Sequence, residues 1–383
     1  MKNLEDIKYS TTEQMPLKKH RDSNLELFRI LTMLLIVAHH YVFNSGLTAP
    51  GSPLFENPTS ADSLFLLLFG AWGKIGINCF VMITGYFMCK SEITATKFVK
   101  LLFEVMFYQI VIGGIFLITG YQNFTWFAFF ELFIPIKRIT VDFKYCFLVF
   151  YLFIPFLNIL IKNLTEKKHI YLLLLCFLTY ILFGTIKGGS FVVIMNYVSW
   201  FSVLYIIASY IRLYPKRWFS NNKICVTGLM ITVLLSTLSV VFCSFIGEKI
   251  DKFVPLYFVT DSNALLAVLV GIFAFLFFKN IKLKYNKVIN IAAASTFGVL
   301  LIHANSNIMC QWLWKDMLDC EGHYGSTLYA IVCTIGVFGV CTIIDFVIKN
   351  TVEKSFLSLW QKKYEYLKNV WMDREKKIFD KIS

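Results

Sequence analysis

Residues 25–43 read LELFRILTMLLIVAHHYVF. The run is close to the roughly 20 residues that a membrane-spanning helix needs, yet it carries Glu26, Arg29, His39 and His40. Hydrocarbon tolerates ionisable side chains only where they face a bundle interior or a watery cavity, so such residues mark function by default. The rest of the chain agrees with a membrane setting. Of 383 residues, 57% are hydrophobic, 17% aromatic and only 16% charged, against about 25% charged in an ordinary soluble domain. A water-soluble globule, a disordered chain, a disulfide scaffold and a coiled coil are all excluded by that balance. The ten cysteines are scattered, mostly in apolar runs, with no Cys-x-x-Cys pair to suggest zinc or redox chemistry. Cys310 and Cys320 lie near one membrane face, but the pattern argues against a disulfide.

Working outward, apolar runs of spanning length recur at about 25–43, 64–88, 98–119, 145–162, 169–186, 192–213, 223–246, 262–279, 290–312 and 326–349. The expected architecture is an all-α bundle of about ten transmembrane helices. It comprises a cytoplasmic segment 1–24, a membrane domain 25–349 and a cytoplasmic amphipathic tail 350–383. The polar segment before the first run does not resemble a cleavable secretory signal. Phe124–Ile136 is apolar but too short to cross, and reads as a re-entrant or interfacial piece. Loop charges support the count. With the N-terminus inside, inner loops carry Lys90/Lys97/Lys100, Lys162/Lys167/Lys168, Arg212/Lys216/Arg217/Lys223 and Lys279/Lys282/Lys284/Lys287. Outer loops carry none in 44–62, then Lys137/Arg138/Lys144, Lys187, Lys249/Lys252 and Lys315. The net charge of +13 is therefore mostly topology, and nucleic acid is not an expected partner. Trp126, Trp200, Trp312 and Trp314 suit interfacial belts.

Helical geometry separates the two histidines. At 100° per residue, Arg29 and His40 differ by about 20° and stack with a rise of about 16 Å, whereas His39 lies about 80° from Arg29. A cation near the inner mouth and a proton acceptor deeper in would suit a coenzyme A thioester, with phosphates at one end and the acyl group carried inward. Histidine is the natural general base near neutral pH. The plainer alternatives are a snorkelling Arg29 and a histidine bonded within the bundle.

The second apolar run holds glycines at 70, 73, 76 and 85, which permit close helix contact. Lys74 and Asn78 share a face there and are candidates for substrate contact, Asn78 also as an oxyanion donor. Lys97 and Lys100, three apart, could hold phosphate or simply mark the inner side. His303, Asn305 and Asn307 could line an acceptor site or act as polar glue between helices. Glu104 and Asp345 are expected to pair with a base such as Arg29 or Lys74, while Glu131 and Asp142 could meet a sugar.

Ser23-Asn-Leu-Glu-Leu-Phe-Arg29 through His40-Tyr41, Gly73-Lys-Ile-Gly-Ile-Asn-Cys-Phe-Val-Met-Ile-Thr-Gly-Tyr-Phe87, and Phe297-Gly-Val-Leu-Leu-Ile-His303-Ala-Asn305 together resemble the integral-membrane acyltransferase 3 family. The resemblance covers nearly the whole chain. It implies transfer of an acyl group, most often acetyl from acetyl-CoA as co-substrate, to a hydroxyl of a cell-surface or exported polysaccharide at the cell membrane. The family's first-helix Arg and His fall on Arg29 and His40. Its paired arginines fall on Lys97 and Lys100, where lysine keeps the charge but loses the bidentate fork for phosphate. The extracytoplasmic hydrolase-like domain that some members append is not expected. Read from the residues alone, a transporter or flippase of a glycan or lipid-linked intermediate remains an alternative, as does a scaffold that keeps the fold without activity.

Overall fold

A computed structural model describes residues 22–137, 142–186 and 196–382; Arg138 and Lys187 of the expected outer loops lie outside this range. Among the described residues the protein is all helical. In chain order the helices are α1 (Ser23–Phe43), α2 (Pro53–Glu56), α3 (Ala61–Gly70), α4 (Gly73–Met88), α5 (Ala95–Ile118), α6 (Trp126–Glu131) and α7 (Phe143–Lys162). Then come α8 (Glu166–Cys176), α9 (Phe183–Ile186), α10 (Tyr197–Leu213), α11 (Asn222–Lys249) and α12 (Leu265–Asn280). The last are α13 (Lys287–Ala294), α14 (Thr296–His303), α15 (Asn307–Cys310), α16 (Thr327–Ile348) and α17 (Lys354–Ile382). Widened π turns at Phe177–Leu182, Gln311–Met317 and Lys349–Glu353 join some of these without a break.

Short polar side chains start the helices where each apolar run begins. Thr94, Thr125 and Thr165 accept hydrogen bonds from the backbone N–H groups of Lys97, Ala128 and Lys168. Asn221 and Asn286 do the same for α11 and α13. Each satisfies amide donors that the first turn leaves open.

Among the described residues, seven helices or unbroken helical runs are long and apolar enough to cross a membrane. The pair Lys287–His303 and Asn307–Met317, bent by 92°, makes an eighth if counted as one span. Segments six and eight of the expected ten are α10 and α12, apolar but only 17 and 16 residues long, short of the roughly 20 that a perpendicular crossing takes. Among the described residues, the seven long spans, the bent pair and these two shorter helices occupy the ten expected segments. The bend follows from Ser306, whose hydroxyl accepts from Met309 N–H and restarts the chain in a new direction. The segment 124–136 is a short helix between turns, with Trp126, Phe127, Phe130 and Phe133 exposed, which agrees with an interfacial piece. The tail continues α16 without a break, the π turn at Lys349–Glu353 leading straight into α17.

Close approach of α1 to α3 and α4 organises the bundle. A Cβ at Gly73 would lie 2.2 Å from His39 Cβ, and one at Gly76 would lie 2.9 Å from Ile36 and 3.1 Å from the Thr32 carbonyl oxygen. Only glycine lets the two backbones meet at that distance. Outward-facing positions are as apolar as the core: Met230, Leu234, Leu238 and Phe242, four apart along α11, are all exposed, a stripe suited to lipid rather than water. Trp126 is exposed as a belt residue should be, but Trp200 and Trp314 are fully buried. Their indoles pack inside the bundle, Trp200 donating to the Asn78 side-chain oxygen at 3.0 Å. Cys310 and Cys320 are both free thiols.

The glycine contact gives a test. Gly73→Val should destabilise the detergent-purified protein by about 1–3 kcal/mol or more through overpacking. Gly114→Ala, which meets nothing within 4 Å, should leave the thermal midpoint within a degree or two, measured by fluorescence-detected size exclusion after heating.

Candidate active site

The two neighbouring histidines of α1 have different tasks. His39 Nδ1 donates to the Gly70 carbonyl oxygen at 2.7 Å, satisfying an acceptor that the end of α3 leaves open. His40 turns the other way. Its Nδ1 lies 2.9 Å from His303 Nε2 on α14, and His303 Nδ1 donates to the Val299 carbonyl oxygen, one turn earlier, at 2.6 Å.

These bonds fix the tautomers by elimination. A carbonyl only accepts, so His303 carries its proton on Nδ1 and presents a bare Nε2 when neutral. The 2.9 Å bond needs one proton between the rings, which must then sit on His40 Nδ1. His40 Nε2 is left with its lone pair, the form a general base requires. Trp314 stands edge-on to His303, ring centroids 6.2 Å apart, and is fully buried, so the dyad is braced on its far side.

His40 lines a cavity of ≈ 470 Å³, within the usual range for small-molecule sites. The cavity lies at the end of the bundle opposite the start of α1. Ile36, Asn44, Lys74, Gln109, Tyr145, Tyr197 and Asn305 share its walls, with Glu131, Lys137 and Asp142 from the loop side. Of the residues expected from the sequence, His40, Lys74, Asn305, Asn307, Glu131 and Asp142 therefore meet at one place, and His303 adjoins it through His40.

The others do not. Arg29 is about 16 Å along α1 from His40 by helical rise, does not line the cavity, and pairs with Glu26 at 3.7 Å. Asn78 is fully buried, and its amide donates to the Ser262 and Ala267 carbonyl oxygens at 2.7 and 3.4 Å. It pins α4 to the start of α12. Lys97 is exposed and donates to the Glu92 carbonyl oxygen at 2.7 Å. Lys100 meets Glu353 at 2.5 Å and Glu104 at 3.7 Å, so much of its charge is already matched.

Glu104 and Asp345 pair with neither Arg29 nor Lys74. Lys349 reaches Asp345 at 2.9 Å and Glu104 at 3.9 Å, and Tyr108 OH donates to Asp345 at 2.9 Å. For Lys74 the reason is depth, since both carboxylates lie near the end where α5 starts and α16 finishes and Lys74 opens α4 at the other end, while Arg29 pairs with Glu26 on its own helix. A Cβ at Gly298 would strike Asp345 Oδ1 at 1.8 Å, so α14 lies directly against this network.

Sequence reasoning passed over Gln109 and gave Lys144 no site role. Gln109 donates to the Glu131, Leu132 and Ile134 carbonyl oxygens within 3.0 Å and accepts from Tyr145 OH. It hangs the interfacial segment over the cavity. An amide in mid-span is costly unless bonded, and that was the available signal.

A family model described as an acyltransferase domain matches residues 22–346. The chain belongs to the acyltransferase 3 family. No curated protein and no solved structure shows significant similarity to it. The match spans α1 through nearly all of α16, so the His40–His303 dyad and its cavity lie inside the acyltransferase domain. Together with the apolar helices, it supports a multi-pass membrane acyltransferase.

The ionic network makes its own prediction. Lys349→Met leaves two buried carboxylates short of a cation and should cost about 3–5 kcal/mol. Lys100→Met, at a side chain 45% exposed, should cost clearly less. Thermal unfolding of the purified variants in detergent reads the difference.

Proposed function

We propose that this acyltransferase moves an acyl group, most simply acetyl, from acyl-CoA to a hydroxyl of a cell-surface or exported polysaccharide, with His40 as general base. The hydrogen bond from His40 to His303 at the cavity wall carries the reading. Acyl-CoA would approach from the end of the bundle where α1 begins, taken as cytoplasmic. Arg29, which also pairs with Glu26, and the exposed Lys97 would meet its phosphates, and Lys100 would contribute less because Glu353 and Glu104 already hold it. The glycan would enter at the opposite end, through the cavity bordered by Glu131 and Asp142.

In the reaction, His40 Nε2 takes the proton of the acceptor hydroxyl as its oxygen attacks the thioester carbonyl carbon. The new C–O bond forms, the tetrahedral centre collapses, and the C–S bond breaks. The departing thiolate takes the proton from Nε2, so products are the ester and free coenzyme A thiol. His303 accepts from His40 Nδ1 throughout and stabilises the transient imidazolium, as the orienting partner of a catalytic histidine does. His303 acts as a positioning residue. Direct transfer needs no acyl-enzyme.

The test is thiol release from acetyl-CoA, with polysaccharide acceptor present, in membranes carrying matched amounts of each variant. Loss of a general base costs typically 10²–10⁴-fold, so His40→Ala should fall to near background. His39→Ala should retain measurable turnover in the fraction that folds. Glycan crossing the membrane unchanged, with no thiol released by the intact protein, would instead favour transport.

A further inference from the structure

Among the described residues, four lysines sit against carboxylates. Lys100 meets Glu353, Lys349 meets Asp345, Lys137 meets Glu131 at 3.7 Å, and Lys216 meets Glu166. Two lysines that line the His40 cavity have other partners. Lys74 donates to Tyr197 OH at 3.0 Å and lies 5.7 Å from that ring. Lys144, 8% exposed, donates to the Asn305 carbonyl oxygen and lies 4.9 Å from the Tyr145 ring. Among the described residues, neither has a carboxylate within 4 Å.

The cavity's charges do not balance. Lys74, Lys137 and Lys144 face Glu131 and Asp142. Glu131 is taken by Lys137, and Asp142 acts on Lys144 at longer range. Lys74 is left over, matched only by a phenol. An uncompensated ammonium in a spanning segment is expensive and marks a path for a charged substrate. Its position is set: Gly73, the preceding residue, is pressed against His39, so Lys74 stands beside the level of His40.

A thioester is neutral at its reacting end, and the phosphates of acyl-CoA are read above as binding toward the other end of the bundle. The anion that Lys74 awaits therefore belongs to the acceptor. We propose that the cavity selects an acceptor carrying a carboxylate or phosphodiester beside the hydroxyl that is acylated, with the Lys74 ammonium as its anchor. This rests on the acyltransferase reading above. Lys144 adds long-range attraction and holds the Asn305 backbone in place. Tyr197 orients the Lys74 ammonium until the acidic group replaces or joins its phenol.

The experiment uses the full-length protein in membranes with acetyl-CoA and three acceptors: a hexuronic-acid oligosaccharide, its carboxamide derivative, and a glycerol-phosphate-substituted oligosaccharide. The intact protein should prefer one acidic acceptor over the carboxamide at least tenfold in kcat/KM, and which one separates carboxylate from phosphodiester. Lys74→Gln should collapse that preference mainly by raising KM for the acidic acceptor. Lys74→Arg, which keeps the charge, should preserve it and guard against a folding defect. Equal use of acidic and amide acceptors by the intact protein would overturn the proposal. So would a Lys74→Gln variant that lowers kcat alike on every acceptor, since that is the behaviour of an oxyanion-stabilising group. Acylation of none of the three, with no thiol release, would contradict the acyltransferase reading itself, an outcome distinct from acylation without charge preference.

Discussion

The bond between His40 Nδ1 and His303 Nε2 is the constraint on which the site depends. It joins two side chains 263 residues apart in the chain, and each is held by independent packing. His303 is anchored one turn back on its own helix and backed by Trp314. His40 is carried by α1, whose distance from α4 is set by Gly73 and Gly76. His39, spent on the Gly70 carbonyl, locks the rotation of α1 so that the next residue points to α14. One ring nitrogen is thus left free for chemistry inside a low-dielectric bundle, where a preformed proton acceptor is worth most.

Charge is divided between the two ends of the bundle. At one end Lys100, Glu104, Asp345, Lys349 and Glu353 form a buried network that ties α5 to the last helix across a π turn. Its side chains serve one another. At the other end, the lysines and carboxylates of the cavity are only partly matched, and the walls carry amide, phenol and imidazole groups able to bind polar substrate. The first arrangement is what stability requires of buried charge. The second is what an acceptor site requires of a membrane enzyme.

Much of this was legible in the sequence. The ionisable load on residues 25–43 pointed to α1, and the 100° step correctly set His39 and His40 on different faces. The glycines at 70, 73 and 76 announced the contact that the structure displays. What local pattern does not contain is the partner across the bundle: nothing near Lys100 foretells Glu353, which reaches it because a π turn extends α16 into the tail. Asn78 was a candidate for substrate contact but is consumed by two carbonyls and an indole. Periodicity cannot tell a bonded amide from a free one. Apolar runs likewise mark where α10 and α12 lie but not how long each helix is, 17 and 16 residues.

The candidate site turns on His303 presenting a hydrogen-bond acceptor to His40, which leaves His40 Nε2 with its lone pair. The most direct measurement compares His303→Gln with His303→Leu in acyl transfer at matched folded protein. The glutamine oxygen can stand where Nε2 stood, so His303→Gln should keep turnover within a few-fold of the intact protein, whereas His303→Leu should lose at least a factor of ten in kcat. Equal turnover in the leucine variant and the intact protein would contradict the account.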